Sequence, residues 1–544
     1  MKALLAQNKW LLVLVVTAFC LRLYALGSLP AGLTWDEAAI GYNGYAIVTT
    51  RRDEWLEKLP ISFKSFGDYK SPFAIYLTGI FTYIFGLSPL VVRLPFALAG
   101  VFTIPIFYLL CMKLYKGFER APFLSLTSTF LLTLSPWHIH FTRVGFESGL
   151  ALFIFMLALW LLFEFFQTIY ERKSYALQLG IGLAAGLSCV ATLYTYHSAK
   201  IVVPLMVLVT VWLFSDFKKI IRAWKPIVVV VLISSLAVWP LLQDALFGMG
   251  ATRAGVLIFS EHLTIVEYSQ IILSNYILHL SPLFLLQGAT NTLRHGTGVW
   301  GVLLLTTYLL NIVGLLGYWS SRIKKQDDWY TKVALWSILM IVIGLLPAVL
   351  TREVPHPNRA LFALPGFIVL ATIGLKYLID SVNALVNAQK FYYSQALIGT
   401  FYMVHIVLFI SFWNYYLIVY PARSSDSFQE GYIEAFTLAK DYEKGENGKP
   451  QVEKILFSSE YGQPYIYALF VRKTNPIWYR GGSLIKYEFT DTISPGDLSR
   501  NNTLLVATQK NILPNKEPDH IVYGRDGSIR FALYLTPGSA PAEN

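Results

Sequence analysis

The amino-acid sequence predicts a polytopic α-helical membrane protein of about eleven spans followed by a small soluble α/β domain. Three observations predict it. Hydrophobic residues make up 55% of the 544 positions and charged residues only 14%, against about 25% charged in soluble globular domains. Apolar runs of roughly 20 residues, the length a helix needs to cross a bilayer, recur as far as residue 418. Beyond residue 420 the composition turns to Gly, Pro, Asn and balanced charge, with short β-like runs.

The net charge of +11 could point to nucleic acid, but most of the excess lies in short loops between apolar runs. The positive-inside rule puts Lys and Arg in cytosolic loops, so no nucleic-acid partner is implied. Cys20, Cys111 and Cys189 lie in apolar runs without ligand-like spacing and read as small core residues. The basic leader with Lys2 and Lys9 precedes an apolar run with no small-residue cleavage pattern. It reads as a retained first span with a cytosolic N-terminus.

Taken in order, span one covers residues 10–26 and a first outer loop covers 29–88. That loop holds an interfacial helix at 72–85, because only one span from there to 112 brings Lys113 to Arg120 to the cytosol. Span two is 89–112, three 122–137, four 149–166, five 177–193, six 201–214 and seven 227–242. An outer loop at 244–298 follows. Spans eight to eleven are 299–319, 333–350, 361–378 and 398–418. The basic stretches Glu171-Arg172-Lys173, Lys218 to Arg222, Arg322 to Lys325, and Lys390 then all fall inside. Residues 1–420 form the membrane domain. Residues 421–544 form an extracytoplasmic domain, with strands at Lys454-Ile455-Leu456-Phe457 and Asn502-Thr503-Leu504-Leu505-Val506-Ala507.

The same parity gathers four polar clusters on the outer side. The first is Trp35-Asp36-Glu37, directly after span one. Adjacent carboxylates are costly in hydrocarbon and must face water or a polar cavity, where one can take a proton from a hydroxyl. Thr34-Trp35-Asp36-Glu37 is also a helix capping box with Trp35 as an interface anchor, and both readings can hold. The second runs from His138 through His140 and Arg143 to Glu147. Arg143 and Glu147 stand at i,i+4, which reads as a surface ion pair or as a second acidic group meeting the first, with Arg143 orienting one of them. The third is Lys70 before Pro72, either a snorkelling lysine or a phosphate contact. The fourth is the stiff loop Thr351 to Arg359, an ordinary charged loop or one whose His356 and Arg359 bind a phosphate. The 244–298 loop adds His279, Arg294 and His295. Trp35, Tyr42, His138, His140, Arg294 and His295 are candidate substrate contacts. The sequence contains no P-loop, dinucleotide fingerprint, His-Glu-x-x-His or Gly-x-Ser-x-Gly.

One span, an Asp-Glu outer loop, Lys70-Ser71-Pro72-Phe73-Ala74-Ile75-Tyr76, Phe85-Gly86-Leu87-Ser88 and Arg93-Leu94-Pro95 with Ala99-Gly100 follow in that order. The pattern resembles the GT-C membrane glycosyltransferases. Within them it is similar to glycosyltransferase family 39, which includes protein O-mannosyltransferases and the lipid A aminoarabinose transferase. The resemblance extends over residues 11–166, and beyond them rests on topology, on 275–287 and on the loop from His356 to Arg359. It implies a GT-C fold and transfer of a sugar from a polyprenyl-phosphate donor on the non-cytosolic face. It implies Asp36 as general base and Glu147 as the second-loop acidic residue. Arg143 would be the basic residue before it, and Lys70 the lysine near the donor phosphate. The chain has Lys-Ser-Pro where Lys-Pro-Pro is common, and Glu147 where some relatives carry Asp. It lacks the Trp-Trp-Asp-Tyr-Gly signature of en bloc glycan transfer.

A polyprenyl phosphate held by cations leaves without a general acid. An acceptor hydroxyl deprotonated by Asp36, with Glu37 and Glu147 as the other candidate catalytic carboxylates, would attack from the opposite face and invert the anomeric centre. Lys70, Arg143, His356 and Arg359 are the candidate phosphate ligands. The scheme needs no cofactor and no metal site is assigned, although two carboxylates could hold a divalent ion. The acceptor is a protein, lipid or glycan, and membrane lipids surround the chain, with the plasma membrane as the expected location. The rival readings are a lipid-linked sugar or polysaccharide flippase or transporter, and a non-catalytic GT-C relative. Mid-membrane charges and inverted repeats, the usual marks of a transporter, are sparse.

Overall fold

The computed structural model describes residues 9–248, 257–260, 263–323, 328–385, 390–480, 484–514 and 516–537. Lys2, Lys324, Lys325 and residues 249–256 and 261–262 of the outer loop lie outside the described residues. The chain folds into two compact units. The first comprises Met1–Tyr24, Tyr69–Phe73 and Phe96–Asn414, the second Ala25–Asp68, Ala74–Pro95 and Tyr415–Asn544.

The first unit is helical. Among the described residues seven helices of the chain are long and apolar enough to cross a membrane: Pro89–Leu114, Glu147–Tyr170, Tyr175–Thr195, Trp224–Phe247, Trp329–Val349, Pro357–Leu385 and Tyr392–Ile418. The chain is a polytopic helical membrane protein, as its composition predicts. The four other expected spans are helices of 15, 13, 16 and 19 residues at Lys9–Leu23, Ala121–Thr133, Ala199–Phe214 and Leu305–Ile323. A 13-residue helix rises only about 20 Å against a hydrocarbon core of about 30 Å. Residues 122–137 are therefore not one helix. The Ala121–Thr133 helix stops, Ser135 Oγ accepts the His138 amide at 3.3 Å, and Pro136 opens a second helix, Pro136–Arg143. The eighth expected span starts late because Gly301 and Leu303 donate their amides back to Leu286 and Leu285.

Small residues set the closest helix crossing in this unit. A Cβ on Gly374 would stand 2.1 Å from Leu310 O, and one on Gly314 would stand 2.4 Å from Leu370 O. Only glycine admits that approach. Hydroxyls bind other faces, as where Ser128 Oγ meets Tyr115 Oη at 2.9 Å and Thr372 Oγ1 at 2.8 Å.

The second unit is built on a five-stranded sheet. Its order is Tyr487–Thr490, Lys454–Ser458, Thr503–Thr508, Ile529–Leu535 and His520–Tyr523, with the first three parallel and the last two pairings antiparallel. Both β-runs read from the sequence are strands of it. The central Thr503–Thr508 strand is buried at every position. Alternation divides its side chains: Leu504 and Val506 join one apolar cluster, Leu505 and Ala507 another. The first cluster takes in Tyr432, Phe436, Tyr467 and Leu469 from two covering helices. It also takes in Ala38, Ala39, Tyr42 and Ala46 from the helix Trp35–Thr50. The helix that follows the first span is thus a core element of the sheet unit. Its own close crossing is with Pro72–Phe85, where a Cβ on Gly79 would stand 2.7 Å from Gly44 O.

Candidate functional site

In the second unit the Trp35–Thr50 helix opens with the capping box read from the sequence. Thr34 Oγ1 accepts the Glu37 amide at 3.2 Å, and Glu37 Oε2 accepts the Thr34 amide at 3.0 Å. Glu37 does more. Arg93 Nε donates to its Oε1 at 2.7 Å and Arg93 Nη2 to its Oε2 at 3.2 Å, with both side chains fully buried. The remaining Arg93 protons go to Leu26 O at 3.2 Å, Pro30 O at 3.0 Å and Gly32 O at 2.7 Å. All five guanidinium N–H groups are therefore used. Glu37 is a fixed buried anchor that sets the direction of the helix mouth. Asp36, one position earlier and half-buried, stands in the first turn, where the helix dipole favours negative charge. Trp35 is half-buried beside Gly462 with its amide on Gln429 Oε1 at 3.4 Å, and buried Tyr42 donates to Thr474 O at 2.7 Å.

In the first unit the Pro136–Arg143 helix is wholly buried. Arg22 Nη2 donates to His138 Nδ1 at 2.6 Å. Burial and then the Arg22 charge hold the His138 ring neutral, well below the usual histidine range. Arg143 donates from Nη1 to Leu21 O at 2.7 Å and from Nη2 to Tyr24 O at 2.8 Å, and its guanidinium lies 5.6 Å from the Trp413 ring centre. It thereby caps the last carbonyls of the Lys9–Leu23 helix. The i,i+4 spacing of Arg143 and Glu147 does not place them on one surface helix. Val144 and Phe146 are extended, and Glu147 opens a new helix. Glu147 is half-buried at that helix's N-terminus, where the dipole again favours an acid.

The fourth cluster, also in the first unit, surrounds the Thr351 to Arg359 loop. His356 is the N-cap of the short helix Pro357–Ala360, its Nδ1 accepting the Arg359 amide at 3.4 Å. Its Nε2 stands 3.6 Å from Glu353 Oε2, and Arg359 Nη2 stands 3.4 Å from the same oxygen. The His295 ring lies over the His356 ring with centres 4.5 Å apart. Burial first, and then His295, Arg359 and His279, hold His356 well below the usual histidine range. Trp137 Nε1 donates to Pro357 O at 3.0 Å, and His140 Nε2 lies 2.9 Å from Arg294 O. A cavity of about 20 Å³, room for one water, lies among Trp137, His140, Phe284, His295 and Pro357. The fold thus brings His140, Arg294, His295, His356 and Arg359 into one neighbourhood.

Lys70 is half-buried at the end of the short strand Asp68–Lys70. Two residues missed in the sequence stand beside that strand: His197 Nε2 lies 3.1 Å from Tyr69 O, and Lys200 Nζ lies 3.3 Å from His197 Nδ1. The signal was present. Parity puts residues 194–200 outside, and that short connection carries a histidine and a lysine. In the sequence His279 reads only as an outer-loop residue and Arg93 only as part of the family-like pattern, and Arg22 carries no signal. Among the described residues no three His, Cys, Asp or Glu side chains are grouped so as to hold a metal ion.

No family profile matches the sequence. No curated protein matches it either. The fold does have solved counterparts. An oligosaccharyltransferase from Archaeoglobus fulgidus superposes with a TM-score of 0.54 at 14% identity, over 92% of this chain and 69% of that one. The oligosaccharyltransferase AglB from the same organism, in complex with an inhibitory peptide and a dolichol-phosphate, gives 0.54 at 13%, over 98% and 75%. ArnT from Cupriavidus metallidurans in its apo state gives 0.53 at 13%, over 97% of this chain and 98% of that one. Its form bound to undecaprenyl phosphate gives 0.50 at 12%, over 96% and 98%. A sheet unit, seven spanning-length helices among the described residues and superpositions over more than nine tenths of this chain agree: the chain has the fold of the GT-C membrane glycosyltransferases.

Proposed function

We propose that this protein is an inverting glycosyltransferase that moves a sugar from a polyprenyl-phosphate donor to an acceptor hydroxyl on the non-cytosolic face of the membrane. The observation that carries the reading is the likeness of nearly the whole chain to ArnT, which has been seen with undecaprenyl phosphate, and to three quarters of AglB, which has been seen with a dolichol-phosphate.

Asp36 is the general base. The division of labour at the helix mouth supports it over Glu37: Glu37 is committed to Arg93 and to the cap, while Asp36 is half-buried beside it. Asp36 takes the acceptor proton, the acceptor oxygen bonds to the anomeric carbon, and the bond from that carbon to the phosphate oxygen breaks. The polyprenyl phosphate leaves with the electron pair, and the configuration inverts. Arg359, His356 and Lys70 stabilise the departing charge. Arg143 and Glu147 remain candidates from the second outer stretch, and Arg143 holds the end of the Lys9–Leu23 helix.

The test is sugar transfer or release from a panel of polyprenyl-phosphate donors by the purified chain in liposomes, with Asp36→Asn alongside. A lost base lowers turnover by about 10²–10⁴-fold while undecaprenyl phosphate still binds. Equal activity in both proteins moves the base elsewhere. Lipid-linked sugar crossing the bilayer without transfer replaces the transferase with a flippase.

A further inference from the structure

Described residues of the outer segment after span seven hold the Thr351 to Arg359 loop at its entry and at His356. Ile258 donates its amide to Leu350 O at 3.1 Å, and Leu257 bridges Thr351 in antiparallel register. The helix Ile265–Leu280 then reaches both ends of the loop with two side chains one turn apart. Asn275 Nδ2 donates to Val349 O at 2.8 Å, and His279 Nε2 accepts the His356 amide at 3.1 Å. Both side chains are buried, His279 completely.

His279 can do this in one tautomer only. Its Nδ1 lies 2.8 Å from Asn275 O, a carbonyl that can only accept, so Nδ1 carries the proton and Nε2 offers its lone pair to His356. The ring is fixed on its own helix by that i,i+4 bond, and the Phe284 ring packs against it with centres 5.2 Å apart. One acceptor therefore sets the main chain of His356. From that residue start the short helix carrying Arg359 and the His356 ring itself.

We infer that His279 is a positioning residue: it clamps the His356 main chain so that His356 and Arg359 meet the donor phosphate together. The inference rests on the proposed donor chemistry. Groups held in place before binding lose less freedom when the ligand arrives. Release of the clamp therefore weakens donor binding, raising KM, more than it slows the bound complex, kcat.

Two substitutions separate positioning from mere packing. Gln ends at the depth of the imidazole Nε2 and can accept the His356 amide. Asn ends at the depth of Nδ1 and cannot. In the full chain in detergent, titrated with undecaprenyl phosphate, His279→Asn is expected to bind about fivefold more weakly, the ratio for one hydrogen bond of ordinary net worth. His279→Gln is expected to return to within about twofold of the parent. With a sugar-linked donor, the Asn variant should show the raised KM with kcat largely kept. Equal losses in Gln and Asn, tracking a shared fall in thermal stability, would overturn the inference, as would parent-like binding in Asn. A parent that binds no undecaprenyl phosphate removes the donor reading itself, and the clamp's function with it.

Discussion

Two of the glutamate–arginine pairs, one in each unit, differ in burial and in the number of contacts. Glu37 and Arg93 are both fully buried, joined by two short contacts, and every Arg93 proton has an acceptor. Glu353 is 63% exposed and touches Arg359 through one contact of 3.4 Å, with His356 at 3.6 Å from the same oxygen. The first pair is closed. Its surroundings leave no room for another anion, so its work is to fix the first turn that carries Asp36. In the second pair the carboxylate is exposed and its contact is long, so under the proposed function a phosphate can take its place on the guanidinium. Burial and saturation thus separate an arginine that builds from one proposed to bind, which a count of charged residues cannot do.

The largest expected effect breaks the closed pair. Glu37→Gln leaves the Arg93 charge buried without its counter-ion, a loss of about 3–5 kcal/mol. Thermal unfolding in detergent should show a large drop for Glu37→Gln and for Arg93→Met. The double variant should be less impaired than either single one, because no lone charge remains. Single variants with the parent's unfolding midpoint would erase the distinction drawn between the two pairs.

That distinction was only partly legible in the sequence. The capping box was, because it depends on residues three apart. The Arg93 partner was not, because it lies 56 positions away and Arg93-Leu94-Pro95 looks like the polar edge of a span. The strands at Lys454 and Thr503 were legible from local composition. The membership of Trp35–Thr50 in the sheet unit's core was not: its apolar face of Ala38, Ala39 and Tyr42 gives no sign of what it packs against. The helix break at Ser135-Pro136 was readable as a cap followed by proline, yet the apolar run outweighed it. His356 and Arg359 were visible as a charged loop. His279 was visible only as one histidine in an outer segment, since its role depends on a backbone amide 77 positions ahead.

The histidine loop should also differ in pH response. Burial holds His356 well below the usual 6.5, so the folded chain prefers the neutral ring. As pH falls below about 6.5 the unfolded chain takes up a proton that the folded chain refuses. The stability from neutral His356 is therefore full above that pH and is lost as the pH falls toward the folded value. His279 is shifted the same way by burial and contributes with the same sign. Unfolding midpoints measured from pH 7.5 down to 5 should decline in the parent and decline less in His356→Gln. A parallel decline in both would assign the acid sensitivity to other groups. Thr34→Ala, which removes the cap beside the closed pair, should cost about 1 kcal/mol and leave this slope unchanged.

The smallest stability effect belongs to Glu353, and it is the one that sharpens the comparison most. An exposed carboxylate with long contacts is worth about 0–1 kcal/mol, so Glu353→Gln should unfold close to the parent. Binding should move the other way. If Arg359 and His356 receive the donor phosphate, Glu353 competes for the same donors when the site is empty, and its neutral replacement should tighten undecaprenyl phosphate. The gain should shrink as salt rises, since an exposed charge is screened over about 8–10 Å at physiological ionic strength. Unchanged affinity at low salt would mean that Arg359 serves Glu353 as Arg93 serves Glu37, and the loop would then be structural rather than receptive.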